Sequence, residues 1–264
     1  MNAKVAQFRR LHEQRPLVLP NAWDAASARV IESAGAQAIA TTSAAVSWTH
    51  GRRDGQTLRR EEMMRVIQSI AAAVSVPVTA DLEGGYGDVP ETVRAVIAAG
   101  AAGINLEDSP GRDGQTLLTP EQHAERIRAA RAQGDLVINA RIDVYLLQAG
   151  EPSGRFDEAV RRANLYRAAG ADCLFVPGVV DAGTISRLVR AIDGPLNIMT
   201  MPSTPTVPDL GRLGVARVSV GPFLALAALA ATRRAALELL GPGTYGALAE
   251  GLPFGEVNGM FDSR

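Results

Sequence analysis

The stretch Pro77-Val78-Thr79-Ala80-Asp81-Leu82-Glu83-Gly84-Gly85-Tyr86-Gly87 runs from apolar residues into two carboxylates and then a glycine-rich turn. Asp81 and Glu83, two positions apart, share one side of a strand end, and the turn lets a ligand come close to the backbone. The segment Gly103-Ile104-Asn105-Leu106-Glu107-Asp108 repeats the pattern, an apolar strand that finishes in acid. Two neighbouring strands ending this way could hold a hard divalent cation. Asp81, Glu83 and Glu107 crowded together without one would repel and raise one another's pKa, and so few carboxylates, with waters left in the shell, suit Mg²⁺, or Mn²⁺, better than Ca²⁺. Arg141 closes Ile138-Asn139-Ala140-Arg141 and brings a fixed positive charge to the same place. It offers a fork for a substrate carboxylate, with a structural ion pair to the acids as the alternative.

Such residues need strands that all end on one face. Leu17 to Pro20 reads as a first strand, followed by Asp24 as the N-cap of a helix over Ala25 to Ala34 that Gly35 stops. Ala38 to Thr42 is a second strand, with a long polar loop carrying Trp48, His50 and Asp54. The alternation then continues to a last strand over Arg217 to Val220 and a helix over Pro222 to Leu240. Eight strands with little polar alternation, each followed by a helix, predict a (β/α)8 barrel with its strands buried on both faces. An open doubly wound sheet would carry a glycine fingerprint after the first strand, and Asn21-Ala22-Trp23-Asp24 is not one. Residues 1–264 are expected to form one barrel domain with a C-terminal helical extension. At the barrel's active face the strand ends supply Thr42, Ser43, Asp81, Glu83, Glu107, Asp108, Arg141 and Asp143. The loop Gly51 to Leu58 is echoed at Gly111 to Leu117, and both copies fall in loops after strands, where each could close over a substrate, with plain Arg-Asp-Gly turn chemistry as the alternative.

With 27 basic and 28 acidic residues among 264, the net charge of -1 leaves no electrostatic footprint for nucleic acid or an anionic membrane. Partners are expected to be a small carboxylic acid and other copies of the chain. Cys173 alone cannot form an intramolecular disulfide, and Met1 to Val5 lacks the order of a signal peptide, so a cytoplasmic location is expected. Of His12, His50 and His123 only His50 lies where it could reach the site, and it reads as a loop residue rather than an acid or base. Serine hydrolase elbows, phosphate loops and paired cysteines are lacking.

From about Phe8 to Leu240 the chain resembles the isocitrate lyase and phosphoenolpyruvate mutase superfamily. The carriers are Pro20 to Arg29, Gly51 to Asp54, Asp81 to Gly87, Asn105 to Asp108 and Asn139 to Asp143. The resemblance implies Mg²⁺ bound through Asp81, Glu83 and Glu107, largely by way of waters. It implies a 2-oxo acid or enolpyruvate-like group chelating the cation, its carboxylate held by Arg141 and by groups matching Thr42, Ser43 and Ala44. It also implies tetramers built from dimers that exchange the eighth helix. Asp54 matches the phosphoryl-accepting nucleophile of the mutases, which the lyases keep too. The cysteine loop of the tricarboxylate lyases and the Lys-Thr-Asn-Ser loop of the mutases are both replaced here by Ser109 to Thr116, and Glu83 stands where aspartate is more usual.

The expected activity is therefore carbon–carbon lysis or decarboxylation of a small 2-oxo or 2-hydroxy acid through an enolate. Phosphorus–carbon mutase or hydrolase chemistry with Asp54 attacking phosphorus is the runner-up. A barrel that has lost catalysis and only binds is the third reading.

Overall fold

The computed structural model describes residues 3–13, 16–109 and 116–262. The first expected strand is split in two, because Pro20 has no N–H to give to a ladder. The chain forms β1 (Leu17–Leu19), which pairs with the last strand, and β2 (Asn21–Ala22), which pairs with the next. The others are β3 (Ile39–Thr41), β4 (Val78–Asp81), β5 (Gly103–Glu107), β6 (Val137–Arg141), β7 (Cys173–Phe175), β8 (Leu196–Met199) and β9 (Arg217–Ser219). All pairs are parallel in the order β1-β9-β8-β7-β6-β5-β4-β3-β2, so the two edges of the sheet are halves of one chain segment and the sheet closes as a (β/α)8 barrel. Asn21 stitches the seam: its Nδ2 donates to the Thr41 carbonyl at 2.8 Å and its Oδ1 accepts from Val220 N at 2.9 Å.

Alternation along each strand sorts the barrel interior into layers. At the bottom, α1 (Ala3–Leu11) inserts Val5, Phe8 and Leu11 against Leu17, Ala38, Ala102 and Val137. Gly103 permits this, since a Cβ there would sit 2.8 Å from Phe8 and 2.9 Å from the Val137 carbonyl. The middle layer is polar. Asn139 donates to Asn105 Oδ1 at 2.8 Å, Arg217 reaches the same oxygen at 3.3 Å, and Asn197 donates to Ser219 at 3.1 Å. The top layer carries Asp81, Glu107 and Arg141, so the acid and base groups sit where the strands deliver them.

The outer helices are α2 (Ala25–Ser33), α4 (Arg60–Ala73), α5 (Val89–Ala98), α6 (Pro120–Arg131), α7 (Arg155–Ala168), α8 (Ala182–Ala191), α9 (Val207–Arg212) and α10 (Phe223–Leu240). Their starts are written in the sequence: Asp24 accepts from Ser27 N, Asp88 from Glu91 N, Thr119 from Gln122 N and Asp181 from Thr184 N. One helix departs from the expected polar loop, α3 (Ser43–Thr49), which includes Trp48. Its first residues, Ser43 to Ser47, are small or apolar and all buried, so a helical turn that satisfies its own backbone beats an irregular buried segment. His50 caps its far end.

Within the single chain Ala225 is the one buried residue of α10. After it come a 3-10 turn over Gly246–Glu250, packed back on α10, and α11 (Phe254–Gly259). Among the described residues no helix is long and apolar enough to cross a membrane.

Candidate active site

The tops of β4, β5 and β6 bring Asp81, Glu107 and Arg141 to the barrel mouth, and the residues just beyond add Glu83, Asp108 and Asp143. Register explains this: Asp81 lies opposite Asn105 on the next strand, and Glu107 lies opposite Arg141. Asp81 Oδ2 accepts from both the backbone N (3.2 Å) and the hydroxyl (2.9 Å) of Ser43, and Asp81 N donates to the Thr41 hydroxyl oxygen at 2.8 Å. The start of α3 is thereby tied to β4. Asp54 is exposed as a residue, but its carboxyl end turns inward to Ser43 Oγ, 3.4 Å away. Burial of that end and the charge of Asp81 raise its pKa.

Glu83 stands at φ 47°, a left-handed conformation that costs a glutamate more than an aspartate or asparagine. Its carboxylate is hooked by the Tyr86 hydroxyl at 2.8 Å and by a short bond from Gln56 N. Burial, then the neighbouring Asp81, push its pKa up to about 7. Gly85, at φ 82°, completes the turn, and a Cβ there would meet Val89 at 2.8 Å. Glu107 is buried and held above the usual carboxylate range by desolvation, against which Arg141 works.

Arg141 pairs with Glu107 at 2.7 Å through Nη1 and with Asp143 at 2.7 Å through Nε, leaving its side chain 19% exposed toward the mouth. Burial opposes its charge, but Asp143, Glu107 and Asp81 outweigh it and keep it protonated. Both sequence-level roles of Arg141, ion pair and fork, are thus compatible with one geometry. Asp143 is itself buried and takes a short bond from Ser109.

The structure brings Ser43, Asp54, Asp81, Glu83, Glu107 and Arg141 to one mouth, with Thr42 at the N-cap of α3 and Ala44 in its first turn. It does not bring His50 there. His50 Nδ1 lies 3.0 Å from the Val46 carbonyl, in an outer cleft with Trp23, Glu62 and Arg65. Of the loop echo, residues 111–115 lie outside the described residues. Sequence reasoning passed over Gln56 and Tyr86, whose only signal is their place in turns beside the acids. It also passed over Arg162 and Tyr166, which share a face of α7 with Glu158 at helical spacing.

Among the described residues no three histidine, cysteine, aspartate or glutamate side chains converge closely enough to grip one ion directly. A direct three-carboxylate cage is therefore not what the acids form. Yet five carboxyls, Asp54, Asp81, Glu83, Glu107 and Asp143, face one another's charge with Arg141 as the cation among them. A hard oxygen donor set with surplus negative charge fits Mg²⁺ held partly through water.

A family model described as phosphoenolpyruvate phosphomutase matches residues 8–240. The chain belongs to the isocitrate lyase/phosphoenolpyruvate mutase superfamily. An uncharacterized protein of Mycobacterium tuberculosis (strain ATCC 25618 / H37Rv) is 38% identical over 232 residues, 87% of each chain. The 2,3-dimethylmalate lyase of Eubacterium barkeri is 32% identical over 207 residues, 74% of this chain and 70% of the lyase. A provisionally assigned lyase/mutase from Burkholderia cenocepacia J2315 superimposes with a TM-score of 0.90 at 37% identity, over 98% of this chain and 96% of that one. A phosphonopyruvate hydrolase solved with oxalate and Mg²⁺ gives a TM-score of 0.85 at 27% identity, over 97% and 95%. The superfamily is one of lyases and mutases, and its chemistry is the making and breaking of carbon–carbon and phosphorus–carbon bonds in small acids.

Proposed function

We propose that this protein is a Mg²⁺-dependent carbon–carbon lyase or decarboxylase of a small 2-oxo or 2-hydroxy acid. The observation that carries the reading is Arg141, clamped between Glu107 and Asp143 with part of its guanidinium facing a mouth ringed by Asp81, Glu83 and Asp54. Asp81, Glu83 and Glu107 would hold Mg²⁺, which when bound supplies Lewis-acid stabilisation of negative charge on a substrate oxygen. Arg141 takes the carboxylate next to the 2-oxygen and fixes the plane of the acid. Thr42, Ser43 and Ala44 bound the pocket on the α3 side, where the Ser43 hydroxyl bridges toward Asp81 and Asp54. For an oxaloacetate-like acid, the bond from C3 to its carboxyl breaks, CO₂ leaves, and the electron pair passes into the enolate of the 2-oxo group. The buried wall of Phe175 beside Arg141 keeps bulk water from that charge.

A second reading has its own support. The Asp54 carboxyl turns into the mouth beside Ser43, and the relatives include a phosphonopyruvate hydrolase, so attack of Asp54 on phosphorus with cleavage of a phosphorus–carbon bond is the alternative.

The test is a panel of 2-oxo and 2-hydroxy acids with Mg²⁺, alongside calorimetric titration with oxalate, a planar mimic of the enolate. Asp81→Ala and Arg141→Ala are each expected to lower turnover by about 10³-fold or more while the fold is kept. Unchanged turnover in either rejects the reading. Asp54→Asn separates the two chemistries: residual lyase activity is expected, whereas a phosphoryl-accepting aspartate would leave none.

A further inference from the structure

Behind Arg141, between β5, β6 and α7, lies a buried ionic cluster built on Asp108. Asp108 is fully buried and accepts three hydrogen bonds. Arg162 Nη1 and the Tyr166 hydroxyl reach its Oδ2, each at 2.9 Å, and the backbone N of Asp143 reaches its Oδ1 at 2.9 Å. Its own N–H donates to the Arg141 carbonyl at 3.2 Å. Arg162, 5% exposed, also donates through Nη1 to the Leu118 carbonyl at 2.9 Å and through Nε to Glu158 at 2.7 Å. Leu118 N in turn donates to the Asp108 carbonyl at 2.8 Å. All of these bonds but the Arg162–Glu158 pair, which stays within α7, thus end on a segment leaving the top of β5 or β6.

A buried ion pair is a poor way to gain stability, since desolvation offsets most of the attraction and apolar residues of like size serve as well. What it does supply is direction. Asp143 is the residue that grips Arg141 Nε, and its backbone is fixed by Asp108 rather than by a strand ladder, which ends at Arg141. We propose that Asp108, Arg162 and Tyr166 are positioning residues that set Asp143, and through it the plane of the Arg141 guanidinium, for carboxylate binding. This rests on the carboxylate-binding role assigned to Arg141 above. A guanidinium binds a carboxylate through two parallel bonds, so a tilt or a shift of about 1 Å costs on the order of 100-fold.

The experiment compares wild type with Arg162→Met, Arg162→Lys and Tyr166→Phe, in Mg²⁺, by three readouts: oxalate affinity, the split between kcat and KM on any acid that wild type turns over, and crystal structures. Arg162→Met is expected to weaken oxalate binding and raise KM by about 10- to 100-fold, with a smaller effect on kcat. Its crystal structure is expected to show Arg141 released from Asp143. Arg162→Lys is expected to recover part of the loss, and Tyr166→Phe to lose less than Arg162→Met. An Arg162→Met protein that melts lower but binds oxalate like wild type, or that keeps Arg141 on Asp143, overturns the proposal. If wild type itself neither binds oxalate nor turns over any acid, the functional reading fails, and the position of Arg141 in the two crystal structures still decides the positioning role.

Discussion

His123 shows how burial alone can fix a charge state. It is fully buried on α6 with its ring edge-on to Tyr166, centroids 4.7 Å apart, and desolvation, helped by Arg126, pushes its pKa down to about 3. The unfolded chain takes up this proton near pH 6.5, while the folded chain refuses it until about pH 3. The stability contributed by the neutral ring is therefore full above pH 6.5 and is lost as pH falls toward 3. Between pH 7 and pH 5 the loss from this one group is about 2 kcal/mol. Urea denaturation of His123→Met at the two pH values is expected to show a smaller loss than wild type, and equal losses would count against a neutral buried histidine. At this scale the acids and Arg141 were legible because a strand end has one meaning in a barrel: its inward side chains face the mouth. Arg162 and Tyr166 were not, because a polar residue on an outer helix normally faces solvent, and only the three-dimensional packing of α7 on β5 and β6 turns them inward. Nor was the hook on Glu83 legible, since it depends on a left-handed backbone at that residue and on where the turn carries Tyr86.

At the scale of elements, strand and helix positions followed from apolar runs, capping residues and terminal glycines, with boundaries differing by a residue or two. Two differences have physical causes. Pro20 divides the first strand, and small buried residues wind Ser43 to Thr49 into α3 instead of a loop. The fit of α1 beneath the barrel is the element-level feature most open to test. Phe8 enters the bottom layer only because residue 103 lacks a side chain, with Thr79 Oγ1 also 3.1 Å from the Cβ position. Gly103→Ala must push Phe8 or the backbone of β6, and overpacking of this kind costs about 1–3 kcal/mol. Chemical denaturation is expected to show that loss, and Phe8→Leu in the same chain is expected to recover part of it. A Gly103→Ala protein as stable as wild type would mean that α1 does not pack the barrel floor as described.

At the scale of the whole molecule, α10 and the groove beside it both expose apolar surface in the single chain. Leu224, Leu226, Leu229, Leu237, Leu239 and Leu240 are all exposed, Leu237 at 65% and Leu240 at 84%, on a helix with one buried residue. At its foot a groove of about 550 Å³ is lined by Leu17, Val18, Val30, Ile31 and Leu224. Six leucines moved from water into a partner offer roughly 10 kcal/mol of transfer free energy, enough to outweigh a substantial part of the cost of association. A two-fold exchange, in which each chain's α10 covers its partner's barrel, uses the same patch on both copies and closes without leaving an open end. Pairs of such dimers would give the tetramer that the family resemblance implies. Sedimentation velocity over a dilution series into the low micromolar range is expected to show no folded monomer. Leu237→Asp with Leu240→Asp is expected to dissociate the assembly, and so is Val30→Asp in the groove, because the two surfaces are proposed to meet. A folded wild-type monomer would remove the oligomer altogether. An assembly that survives Val30→Asp but not the leucine pair would keep the oligomer and move the docking site of α10 away from the groove.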